Sequence, residues 1–97
     1  MGREHLLDVR NLELPEPLLR ALAELESLSP GDYLRMLSHR DPLLLYPILA
    51  SSGFTCSKHH GPDDTYEILI WRSGDAAAEQ AAHNCAGSTA GQTGRSP

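Results

Sequence analysis

Residues 6–17 read LLDVRNLELPEP. Leu6 to Arg10 reads as a short strand, and Asn11 to Leu14 links it to a helix opened by proline. Pro15 and Pro17 lack amide donors that a first helical turn leaves unpaired in any case, and Glu16 suits the positive end of the helix dipole. Downstream, Leu18, Leu22, Leu25 and Leu28, joined by Ala21, recur at helical spacing while Arg20, Glu24 and Glu26 fall elsewhere, which predicts an amphipathic helix of about three turns. The chain therefore opens strand, then helix.

Ser29-Pro30-Gly31-Asp32 is a turn by composition, because proline presets one turn dihedral and glycine accepts positive φ. In the strand Tyr33 to His39, Leu34 and Met36 share one face while Tyr33, Arg35, Leu37 and His39 share the other. Asp41-Pro42 predicts a helix N-cap with proline at the first helical position, opening a second helix over 43–52. Pro47 lies inside that helix and predicts a kink or a looser first part, and Gly53 ends it. Phe54 to His60 and Thr65 to Arg72 form a hairpin around Gly61-Pro62-Asp63-Asp64. The expected fold class is α+β: a two-layer βαβαββ sandwich with two helices on one face of a mixed four-stranded sheet.

The 97 residues hold one domain. Residues 1–72 carry it. From 73 the chain reads SGDAAAEQAAHNCAGSTAGQTGRSP, without Leu, Ile, Val, Met or an aromatic residue. With so little to bury, 73–97 is expected to be a disordered tail with at most a frayed helical turn. No apolar run is long enough to span a membrane, and Met1-Gly2-Arg3-Glu4-His5 lacks the apolar stretch of a secretory signal, so a cytoplasmic protein is expected. Net charge is −5, and seven arginines are scattered rather than clustered, which argues against nucleic acid. Cys56 and Cys85 form no CxxC pair and read as free thiols.

Several of these stretches occur together in a known family. Leu7-Asp8-Val9-Arg10, Leu14-Pro15-Glu16-Pro17, Asp32 onward, Asp41-Pro42, Tyr46-Pro47 and the closing hairpin resemble the TusA/SirA-like family of small bacterial proteins over residues 6–72. The resemblance implies a βαβαββ sandwich and, for the family's best-known members, sulfur carriers that pass a persulfide between partners. Those carriers bear a cysteine immediately before the Pro-x-Pro of the first helix. Leu14 stands there in this chain, so the resemblance does not bring the carrier activity with it. The pattern LDVR-x-L-x-x-PEP looks closer to an uncharacterised branch without that cysteine, found alone or attached to hemerythrin-like domains.

In a β-α-β-α arrangement with parallel first strands, the C-terminal strand ends and both helix starts share one edge. Arg10, Leu14, Glu16, His39, Arg40 and Asp41 gather there, a candidate surface for a carboxylate, a phosphate or an acidic partner. The plainer reading makes Asp41 a cap and leaves the arginines solvated or paired to Asp8 and Glu16. A second set, His39, Cys56 and His60, with His59 on the opposite face, is a weak metal candidate whose spacing matches no zinc signature. No cofactor is expected. Catalysis is not expected either: Ser38, His39 and Asp41 form a tempting trio, but neighbours on a strand point to opposite faces.

With Ile68 and Ile70 inside, Leu69 and Trp71 join Tyr33 and Leu37 on an open sheet face, an apolar patch for a partner or a weak homodimer unless the tail crosses it. The leading expectation is a non-enzymatic protein-interaction or regulatory module, monomeric or weakly dimeric, with an unidentified protein partner. The alternatives are a small-ligand or metal module in redox or nitrogen-oxide metabolism using His39, Cys56 and His60, and a sulfur carrier using Cys56 or Cys85.

Overall fold

A computed structural model describes residues 3–13 and 15–92, without the side chains of Pro62 and of 85–92. The order is β1 (Glu4–Asp8), α1 (Glu16–Glu26), β2 (Tyr33–Ser38), α2 (Leu45–Ser51), β3 (Phe54–His60), β4 (Tyr66–Arg72) and α3 (Ala76–Gln92). The strands form one mixed sheet in the order β1-β2-β4-β3. β1 runs parallel to β2, with Leu7 opposite Met36, and β4 runs antiparallel to both its neighbours.

The period-two pattern of β2 and β4 decides the faces. Leu34, Met36, Ile68 and Ile70 point toward α1 and α2 and form the main core with Val9, Ala21, Leu25, Leu28, Leu45 and Leu49, all buried. The α+β sandwich with two helices on one face of a mixed four-stranded sheet is therefore what the chain adopts. The turn before β2 closes through the Asp32 amide on the Ser29 carbonyl at 3.0 Å, and Gly31 at φ 88° supplies the left-handed position that a side chain would resist.

Three elements differ from the sequence reading. β1 is set earlier, at Glu4–Asp8 rather than 6–10, because Asp8 accepts both the amide and the guanidinium of Arg10 and bends the chain there. α2 is shorter than 43–52, so Pro47 falls in its first turn, where no intrahelical donor is lost and no kink arises.

The third difference is α3: the composition of 73–97 predicts a disordered tail, whereas 76–92 is helix, and 93–97 lie outside the described residues. Its first turn is capped by Asp75, whose carboxylate accepts the Ala78 amide at 3.1 Å and the Gly31 amide at 2.8 Å. Ala78 and Ala82 are buried against Tyr33, Leu69 and Trp71, and His83 meets the Trp71 ring edge-on at 5.5 Å between centroids. The large apolar groups lie on the strands. Alanines let the helix come close enough to cover them. The apolar patch read as open is thus closed by the tail at its Tyr33–Trp71 end, and Leu37 lies beyond that cluster.

Among the described residues no helix is long and apolar enough to cross a membrane.

Candidate functional site

The C-terminal ends of β1 and β2, the start of α1 and the loop before α2 enclose a pocket of about 540 Å³. Val9, Leu12, Pro17 and Leu18 form one wall, 42–45 the other, and Tyr66 closes the side toward β4. Arg10, His39, Arg40 and Asp41 line it together. Four of the six residues expected at this edge thus meet. Glu16 does not line the pocket; it takes the Nε of Arg20 at 3.0 Å one turn along α1. Leu14 lies outside the described residues.

The charges around the pocket are unevenly committed. Arg10 gives Nε and Nη2 to the two oxygens of Asp8, at 2.9 and 2.7 Å, and this guanidinium holds the Asp8 carboxyl down at a pKa of about 2. Arg10 is therefore a paired group. Arg40 is exposed, and among the described residues no carboxylate faces its side chain. Its backbone is fixed instead: Ser38 Oγ donates to the Arg40 carbonyl at 2.7 Å and accepts the Arg40 amide at 3.2 Å.

Asp41 does not cap α2. Its carboxylate accepts Lys58 Nζ at 2.7 Å and the Tyr46 hydroxyl at 2.5 Å. Lys58 first, then Tyr46, lowers the Asp41 pKa, while burial and the adjacent carboxylate push the Tyr46 phenol up. With that oxygen drawn toward β3, Leu44 takes the N-cap position without a side-chain cap, and helix begins only at Leu45. Leu43 and Leu44 are left on the rim, 66% and 64% exposed, while Leu45 is fully buried. Three consecutive leucines hid this division from the sequence, since nothing in the run itself marks two as outward. Lys58 was missed because its partner lies 17 residues away. Only the register of β3 brings it over the Tyr46 and Tyr66 rings, at 5.7 and 5.9 Å from their centroids.

The catalytic trio is not wired. Ser38 bonds to the Arg40 backbone and Asp41 to Tyr46 and Lys58, so neither hydroxyl nor carboxylate is directed to His39. The metal candidates are separated too, because β4 lies between β2, which ends beside His39, and β3, which carries Cys56 and His60. His60 stacks on Tyr66 at 4.6 Å between ring centroids, and His59 bonds to Ser57 at 2.9 Å. Among the described residues no three His, Cys, Asp or Glu groups are close enough to hold a metal ion. Cys56 is half-buried, and burial raises its thiol pKa. The side chain of Cys85 lies outside those described.

A parallel β1-β2 pair extended by an antiparallel hairpin, with α1 and α2 on one face, is the SirA-like fold. The chain is similar in structure to a SirA-like protein from Desulfitobacterium hafniense, with a TM-score of 0.61 and 19% sequence identity over 72% of this chain and 95% of that one. At that identity the likeness concerns the fold. Residues 6–72 match the family described as uncharacterized conserved protein (DUF2249), and the chain belongs to that family. No curated protein matches the chain.

Proposed function

We propose that this domain is a non-enzymatic protein-interaction module that receives a partner at the helix-start pocket and does not carry sulfur. The observation that carries this reading is the pocket itself, apolar inside, rimmed by the exposed Leu43 and Leu44 and by the uncommitted Arg40. Aliphatic side chains held at an open mouth are the pattern of a surface that gains from being covered. The unwired Ser38, His39 and Asp41 support a binding role over a catalytic one. Leu14, where the resemblance places a cysteine in the sulfur carriers, supports the absence of persulfide transfer, as does the raised pKa of Cys56. The role is assigned to the cytoplasm, on the sequence features that suggested it.

A photo-crosslinking amino acid placed at Leu43 tests the site, with Leu19, an equally aliphatic and 55% exposed residue outside the pocket, as the control position. In the native cells, position 43 should give a discrete polypeptide adduct and position 19 none. Adducts from 19 alone would move the interaction away from the pocket. The sulfur question has its own measurement: after exposure to polysulfide, a Cys85→Ser protein should keep its intact mass while folded, and a gain of one sulfur atom on Cys56 would restore the carrier reading.

A further inference from the structure

Among the described residues two arginines line the pocket, and only Arg40 has no carboxylate partner there. Arg10 has both ends of its guanidinium on Asp8, whereas Arg40 is held by its backbone on Ser38 and presents its side chain to solvent. Although the net charge of −5 opposes an anion at long range, an exposed arginine without a carboxylate partner among the described residues, beside an apolar cavity, locally selects an occupant that is apolar in one part and anionic in another. We infer that the pocket takes a polypeptide segment bearing neighbouring aliphatic side chains and a carboxylate, an occupant that rests on the protein-binding role proposed above. The aliphatic groups enter against Leu12, Leu18 and Tyr66, and the carboxylate meets Arg40.

The rim decides between a peptide and a small carboxylic acid. Pockets of 540 Å³ are large enough for a drug-sized ligand. Such a ligand fills the interior and leaves in water the outer parts of Leu43 and Leu44, which line the mouth yet are 66% and 64% exposed. A chain crossing the mouth covers both. Asp41 does not repel the incoming carboxylate from an unpaired state, since Lys58 and Tyr46 already hold its two oxygens.

The test is an NMR titration of the ¹⁵N-labelled full chain with three probes: acetyl-Glu-Leu-Leu-Asp-amide, acetyl-Gln-Leu-Leu-Asn-amide and octanoate. The acidic peptide should shift the amides of Val9, Arg40, Leu43 and Leu44. The amide peptide should shift the same set about two- to fivefold more weakly, the scale of an exposed ion pair. Arg40→Gln should remove that gap without changing the amide peptide's affinity, and added salt should narrow it because the pair is exposed. Equal affinity of both peptides for the unaltered protein overturns the pairing with Arg40 and leaves the protein-binding role standing. Shifts from neither peptide overturn both, and shifts from octanoate alone transfer the pocket to a small-molecule ligand.

Discussion

Tyr46 and Lys58 hold Asp41 from two sides, and that clamp sets the shape of the pocket's outer wall. The Tyr46 hydroxyl has little other purpose at its depth, so Tyr46→Phe should destabilise the chain by about 1 kcal/mol, the net worth of one hydrogen bond. For a domain of this size that is a fall in Tm of roughly 4–8 °C, readable by thermal denaturation. An unchanged Tm would mean that the loop does not depend on the clamp. The Asp8–Arg10 pair makes the contrast, with both side chains about two-fifths exposed. Arg10→Ala should leave Tm nearly unchanged, because solvent screens such pairs. The same contrast explains what could be read in advance. Arg10, His39, Arg40 and Asp41 were legible as one cluster because strand direction alone carries them to one edge. The role of Asp41 was not, because local rules favour a cap after a strand, and only a lysine from β3 and a tyrosine from α2 override it.

Among the elements, α3 is the one held by the smallest side chains. Its sequence signal was nearly silent, with alanines in place of a hydrophobic stripe, while the need for a cover was written in Tyr33, Leu69 and Trp71 on the strands opposite. Reading the segment alone made it a tail; reading it against the face it meets makes it a third layer. Ala82→Asp should place a carboxylate on that buried seam and undock the helix. Trp71 emission should then move to the red, and Tm should drop to that of a chain ending at Gly74. Gln80→Ala, on the exposed side, should do neither. Unchanged emission from the Ala82→Asp protein would show that α3 does not rest on Trp71. The prolines of α1 and the turn at Ser29–Asp32 were legible from sequence because their constraints are local, fixed by ring closure and by the glycine at positive φ.

Across the whole molecule, four aspartates have pKa values below the ordinary carboxylate range. Asp8 is lowered by Arg10, Asp32 by its hydrogen bond to His5 at 2.9 Å, Asp41 by Lys58, and Asp75 by the amides of Gly31 and Ala78. Each is more acidic folded than unfolded, so its stabilising contribution is complete above the unfolded value of about 3.9 and is lost as pH falls toward the folded values. Relief of the net charge of −5 works in the opposite direction, but without partners fixed in place. Tm should therefore hold between about pH 5 and 7 and decline below about pH 4, and a Tm that rises on acidification would contradict the set. Asp32 and Asp75 also join distant parts of the chain, for Asp32 receives the Arg3 amide and His5 while Asp75 reaches Gly31. The start of β1, the start of β2 and the exit from β4 consequently share one corner, at the opposite end of the sheet from the pocket. A tether fastened ahead of Arg3 pulls on that corner and leaves the mouth pointing away from its anchor, so the domain can be carried by a larger neighbour, or fixed to a sensor surface, with its rim leucines still facing outward.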